Sequence, residues 1–235
     1  KARKKDGFLN IISIFSFIGI GLGVAVLIVV MSVMNGFRTE LVNKIIGFNA
    51  HMTVKPYENK IAKEKLDDQN LKSISESSIF SNSGEGIMIK KNVTKGILLR
   101  GYFAKDFSKL DIVNNGNFLG SENKLSNNSI SISKELSFSL NLEIGDEITL
   151  MSSSGVQTII GNLPKQKKFT VVSLFDSGVI DFDNNVAFIN LVTLEEFFNL
   201  KPKKRNLEIY LKNPKNIEYQ KSIVQKIFKN EFIYS

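Results

Sequence analysis

The sequence has no cysteine. Disulfides, zinc–thiolate sites and thiol chemistry are therefore excluded, and the redox compartment stays open. Histidine is almost as scarce. His51 is the only one, so a Ser-His-Asp triad has no other base to use. It stands in "AHMTV", which reads as the start of a strand and suits a strand-edge residue better than a base. Walker, H-E-x-x-H and EF-hand spacings are also missing. Carboxylates do come in pairs, at Asp67–Asp68, Glu195–Glu196 and Asp181/Asp183. Acid–base work needs two carboxyls whose surroundings split their pKa values. These lie in polar segments and read as solvated. No catalytic residue, metal site or cofactor is assigned.

Charge is missing from one long stretch. "GFLNIISIFSFIGIGLGVAVLIVVMSVMNGF", residues 7 to 37, carries none. About 20 apolar helical residues cross a bilayer core, so this run is long enough even when tilted. "KARKKD" precedes it, and bases beside one end of a span mark the cytoplasmic side. The N-terminus is expected in the cytoplasm and the chain after about residue 40 across the membrane. A cleaved signal peptide is the competing reading. Its apolar core is shorter, about 7–15 residues, and ends in a small-x-small site. Here the run continues through "VVMSVMNGF" with no such site.

"GIGLG" lacks the preceding strand and the acidic ribose partner of a dinucleotide loop. In a membrane helix the Gly19-xxx-Gly23 spacing lets another backbone approach closely, and Ser16 extends that face. Partner helices outside this chain are implied. After Phe37, Leu41, Ile45 and Ile46 keep helical spacing among charges, which predicts a stalk ended by Gly47.

The net charge is +8 and the pI about 9.4. Such a balance suits nucleic acid or an anionic membrane surface. Yet Lys far outnumbers Arg throughout, and Lys1, Arg3, Lys4 and Lys5 are explained by topology. No glycine-punctuated basic–aromatic motif is present, so nucleic acid is not an expected partner.

From residue 50 the texture changes to short strands and polar helices without a βαβ cadence, which predicts an α+β domain. "AHMTVKP" reads as strand and "KEKLDDQNLKSISES" as helix. "GIMIKKNV" and "KGILLRGY" read as a hairpin across Asn92 to Lys95. "TLEEFF" is expected to open on an N-cap Thr193. Asn92-Val-Thr94 and Asn127-Asn-Ser129 match glycan acceptors, a pattern short enough to arise by chance. The division expected is 1–47 for the basic end, membrane helix and stalk, and 48–235 for the second domain.

One segment does not suit an ordinary turn. "GVQTIIGNLPKQKKFTVV", residues 155 to 172, links two strands, "DEITLM" and "KFTVVSLF". It carries Ile159, Ile160 and Leu163, then Pro164, then Lys165, Lys167 and Lys168. Apolar side chains on a projecting loop are costly unless a partner covers them. A hairpin folded back on its own domain is the plainer alternative. Bottom-up, the chain reads as a membrane-anchored binding module without an active site.

"GIGLGVAVLIVVMSVMNGFRTELVNKIIGFNAHMTV" resembles the first membrane helix and stalk of the lipoprotein-releasing ABC transporter permeases, the LolC/LolE family. "GILLRGY", "SISKELSFSLNLEIGDEITLM", "LPKQKKFTVVSLFDSG" and "NNVAFINLVTLEEFF" follow in the family's order. The resemblance implies a periplasmic domain of the MacB-like type and a non-enzymatic subunit of the bacterial inner membrane. It also implies cytoplasmic LolD-like ATPase subunits, a second permease subunit, lipoprotein substrates and a LolA-like periplasmic carrier. In LolC-type members a projecting β-hairpin recruits that carrier. The segment near 152–168 fits its position, with Ile159, Ile160, Gly161, Leu163, Pro164, Lys165, Gln166 and Lys167 as candidate contacts. Pro164 would lower the entropy lost on docking, and Lys165, Gln166, Lys167 and Lys168 would form a polar or cationic rim. The resemblance also places Val30, Val33, Met34 and Phe37 near an acyl-chain path, with ordinary bilayer contact as the alternative. Two other readings stay open. One is a macrolide-exporter-type mechanotransmission permease. The other is a single-span anchored periplasmic binding protein, complete as it stands.

Overall fold

The computed structural model describes residues 3–58, 60–114, 117–121, 125–158, 161–229 and 231–235. The chain divides into two compact units, Lys1–Ile45 and Ile46–Ser235.

The first unit is helix α1 (Arg3–Phe48). No proline occurs before Pro56, so nothing interrupts its hydrogen-bond ladder. Within it Phe8–Glu40 is long and apolar enough to cross a membrane, at a mean hydropathy of 2.8. Gly47 does not end the helix as expected. The last helical residue is Phe48, one further on.

The second unit is a mixed α+β domain built on strand β2 (Ser75–Lys90). Its first part, from Ser75 to Ser81, pairs with β9 (Asn206–Leu211). Beyond β9 come β1 (Met52–Lys55) and β10 (Phe232–Tyr234), all antiparallel. Its second part pairs with β3 (Val93–Tyr102) on one edge and β6 (Glu147–Thr158) on the other. From β3 the ladder runs through β8 (Val186–Asn190), β5 (Ser129–Ser133) and β7 (Gly161–Phe175), and β7 returns to β6. The circuit β2-β3-β8-β5-β7-β6 therefore closes on itself. Closure leaves no open edge among these segments. The two-residue strand β4 (Leu119–Gly120) pairs with β7 beside this circuit.

Alternation along these strands sends every second side chain inward. Met88, Ile97, Leu99, Ile130, Ile148 and Phe169 belong to one apolar cluster. Helices α5 (Lys134–Leu140) and α7 (Leu191–Phe198) add Leu136, Leu194 and Phe198 to it. Gly84 of β2 makes the α7 packing possible. A Cβ there would stand 2.6 Å from the Phe198 ring. A second cluster gathers Phe107, Phe175, Phe188 and Tyr102, with α3 (Ala104–Phe107), α4 (Asp111–Asn114) and α6 (Ile180–Asn185) around it. A third lies under α2 (Gln69–Ile74) and α8 (Ile217–Ile227), where Leu71 and Val224 are fully buried against Leu207 and Ile209.

A polar centre lies within this unit. The Glu208 carboxylate accepts from Ser81 Oγ at 2.6 Å, Arg100 Nη2 at 3.0 Å, Tyr102 Oη at 2.8 Å and Tyr210 Oη at 3.2 Å. Arg100 also donates through Nη1 to Asn49 Oδ1 at 3.0 Å. Burial opposes the guanidinium charge, but Tyr102, Glu208 and Tyr210 together outweigh it and hold the Arg100 pKa above its ordinary value. Burial, partly offset by Arg100, raises the Tyr102 phenol well above its own.

Several sequence expectations need correction. The helix expected over "KEKLDDQNLKSISES" is a 3-10 turn (Lys63–Asp67) and α2, and its last three residues already belong to β2. The hairpin turn is tighter than expected. Lys90 pairs with Val93, and Lys91 takes φ +52°. The N-cap of α7 is Asn190, whose Oδ1 accepts from Val192 N at 3.0 Å, while Thr193 Oγ1 donates to Asn127 O. The carboxylate pairs are not all solvated. Glu195 is buried in a two-pronged pair with Arg205, both bonds at 2.7 Å. Asp183 is buried too, and burial raises its pKa against the bonds from Ser177. His51 Nδ1 accepts from Leu211 N at 2.8 Å, and burial lowers its pKa.

Candidate functional site

Strands β6 and β7 outrun the closed circuit. β2 pairs with β6 only as far as Ser152, and β5 meets β7 only from Thr170 onward. Beyond those limits, among the described residues, the two strands pair with each other alone, from Gly155↔Pro164 to Thr158↔Gly161. The result is a two-stranded ribbon whose edges no other described strand joins.

Its local chemistry explains the shape. A register shift separates Met151 from Gly155, so Ser152 to Ser154 oppose Lys165 alone. A bulge of this kind bends and twists a ribbon. Proline cannot donate to a ladder and is tolerated on edge strands. Both ribbon strands are edges, so Pro164 fits. Gly161 takes φ +122°, a backbone setting open to glycine and strained for other residues.

The ribbon base is fastened by its lysines. Lys165 Nζ donates to Glu196 O at 2.9 Å and to Asn199 Oδ1, at the C-terminal end of α7. Lys167 Nζ donates to Asn127 O at 3.1 Å and sits 5.5 Å from the Phe169 ring centre. Lys168 pairs with Glu147 at 3.2 Å. Leu163 and Pro164 lie further out, and Leu163 is 52% exposed.

The structure thus divides the candidate contact residues. Gly161, Leu163 and Pro164 belong to the free ribbon, whereas Lys165, Gln166 and Lys167 line a shallow cavity at its base with Thr193, Glu196 and Phe197. Ile159 and Ile160 lie outside the described residues. The ammonium groups bond to the domain's own carbonyl and carboxylate oxygens, a structural use that the sequence reading missed. No local signal marks those acceptors, because Asn127 and Glu196 are 40 and 31 residues distant from their lysines.

The helix candidates belong to the first unit. Val30, Val33, Met34 and Phe37 are between 54% and 66% exposed. A Cβ added at Gly19 or Gly23 would meet no atom within 4 Å, so this small face is uncovered by described residues. Among the described residues no group of three or more His, Asp or Glu side chains is placed to hold a metal.

The class of this chain is shown by its sequence. The chain belongs to the MacB-like periplasmic core domain family, whose model matches residues 13–226. Within that class its similarity is to the lipoprotein-releasing transmembrane proteins, as the sequence motifs implied. It is 28% identical over 227 residues to the lipoprotein-releasing system transmembrane protein LolC of Neisseria meningitidis serogroup B, covering 92% of this chain and 53% of that protein. It is 27% identical over 223 residues to the corresponding LolE of Haemophilus influenzae, covering 91% and 53%. The chain spans about half the length of these relatives. The periplasmic region of MacB from Actinobacillus actinomycetemcomitans aligns at 13% identity and a TM-score of 0.47, covering 82% of this chain and 91% of that one.

Proposed function

We propose that this chain is part of a permease subunit of an ABC transporter that lifts lipoproteins out of the bacterial inner membrane. In this reading the 155–168 ribbon recruits a LolA-like periplasmic carrier. The N-terminus lies in the cytoplasm, α1 crosses the bilayer, and the second unit works in the periplasm. ATP is hydrolysed by separate LolD-like subunits, and the face that includes Gly19 and Gly23 packs against further membrane helices of the same permease and of a second permease subunit. Val30, Val33, Met34 and Phe37 offer apolar walls to acyl chains, a use that suits flexible methionine.

The observation that carries the carrier assignment is Leu163, half exposed on a ribbon that no other strand among the described residues supports. About half of this apolar side chain stays in water, and it suits a partner that removes it. The base is held by Lys165 and Lys167, so less freedom is lost on docking.

The test is carrier binding by the full chain in phosphatidylcholine nanodiscs, natural ribbon against Ile159→Ser, Ile160→Ser, Leu163→Ser, Pro164→Gly. Binding lost with the domain still folded supports the reading. Equal binding by both moves the contact off the ribbon. Failure of both to bind rejects carrier recruitment and favours a LolE-like subunit or the mechanotransmission alternative.

A further inference from the structure

A cavity of about 520 Å³ lies away from the ribbon residues, between the segment after β1, strand β2, helix α3 and the 3-10 turn before β9. Cavities of roughly 300–1,000 Å³ are the size that holds small ligands. Its apolar wall comes from Ile61, Leu66, Phe80 and Phe103. Ile61 is buried, and Leu66 and Phe80 pack on the third core cluster, so this wall is part of the fold's framework. Arg205 stands 5.2 Å from the Phe103 ring centre and braces it.

The charges around this cavity are one-sided. Asp106 is the single acidic lining residue among the described residues, and Lys109 pairs with it at 2.9 Å. Arg205 is neutralised by Glu195. Lys60, Lys63, Lys105 and Lys203 also line the cavity, are exposed, and form no ion pair among the described residues. Four uncompensated cations around one apolar hollow repel one another and leave a positive potential at its mouth. Ser78 lines the same hollow, and its Oγ is shielded from solvent with no hydrogen-bond partner among the described residues. An orphaned hydroxyl of this kind costs stability.

A solvated lysine surface explains the charges but not the aromatic wall beside them. We infer that this cavity binds a small amphiphilic anion, an apolar body bearing one carboxylate, sulfonate or phosphate. The body lies against Phe80, Phe103 and Ile61. The anionic head meets the ammonium groups at the mouth, chiefly those of Lys63, Lys105 and Lys203. Nothing in this assignment depends on the carrier or on lipoprotein release, so it stands or falls separately from the ribbon.

The experiment titrates the full chain, in phosphatidylcholine nanodiscs, with 8-anilinonaphthalene-1-sulfonate, subtracting empty nanodiscs. One saturable site is expected. Combining Lys63→Ala, Lys105→Ala and Lys203→Ala should raise Kd at least tenfold without touching the core. Ser78→Phe, which fills the hollow and keeps every charge, should abolish binding, with thermal melting checking its fold. Dodecanoate should displace the probe where equal acetate does not. Probe binding unchanged in the lysine variant overturns the proposal, whatever Ser78→Phe does. Displacement by hexaglutamate at lower concentration than dodecanoate also overturns it, and would make the hollow a dock for acidic peptides.

Discussion

Arg100 and Glu208 meet at 3.0 Å although their strands never pair. They lie on β3 and β9, which pair with successive parts of β2, Arg100 opposite Ser83 and Glu208 opposite Ile79. Ser81 of β2 joins the same carboxylate. Both ionic side chains are largely withdrawn from water, at 12% and 8% exposure.

That relationship predicts an asymmetry between single and paired substitutions. Removing one partner of a buried ion pair leaves an uncompensated charge and costs about 3–5 kcal/mol. Glu208→Leu is expected to lower stability by that order. The double change Arg100→Leu with Glu208→Leu is expected to cost less than Glu208→Leu alone, because no bare charge is left behind. Urea unfolding of the full chain in nanodiscs, followed by tyrosine fluorescence, checks both. A double variant as unstable as the sum of its singles would contradict this account.

Gly84 gives a second prediction. Any Cβ there meets the Phe198 ring, which is only 5% exposed and has little room to move. Gly84→Ala is expected to cost about 1–3 kcal/mol, the usual range for overpacking. Gly96→Ala is the control, since nothing lies within 4 Å of its Cβ position. Thermal melting of the two variants should separate them clearly, and equal melting points would refute the packing argument.

Asp183 gives a third, in pH. Its folded pKa is raised chiefly by burial, so the folded chain holds this proton more tightly than the unfolded chain does. Between the unfolded and folded values stability from this group falls as pH rises, and above the folded value the penalty is complete. Asp183→Asn keeps an acceptor for Ser177 N, which bonds Oδ1 at 3.1 Å. The variant should therefore gain on the natural chain as pH climbs through the carboxylate range, then keep a constant advantage. Denaturation midpoints measured across pH 3 to 8 test this (about 3.9 is the ordinary aspartate value). A difference that does not change with pH would rule it out.

What was legible in the sequence follows the range of the forces involved. The membrane helix could be read because its cause is local: residues 7 to 37 carry no charge. Strands β5, β8 and β9 could be read from dense apolar or alternating runs. The first part of β2 could not. "SESSIFSNSG" is rich in serine and asparagine, and it is a strand because β9, far along the chain, supplies its partner, as in Ser78↔Ile209. Glu195 and Asp183 misled for the same reason. Their segments look polar, and only the folded neighbours, Arg205 for one and Ser177 for the other, show that they are enclosed. The ribbon was visible as apolar residues out of place, but the anchoring of Lys165 and Lys167 depends on acceptors that distant segments bring near.

The pairing limits of β6 separate two properties that a longer look at evolution would treat differently. Four residue pairs, from Gly86↔Ser152 to Ile89↔Thr149, seal the strand circuit. The reach of the ribbon depends only on how many residues lie past them. Lengthening or shortening the outer ribbon by one residue on each strand keeps the cross-strand register, and two on each also restores the same face at the tip. Length can therefore be tuned by small insertions and deletions without reopening the wall behind it. The protrusion is a part that selection, or an engineer, can resize or exchange while the body that carries it stays fixed.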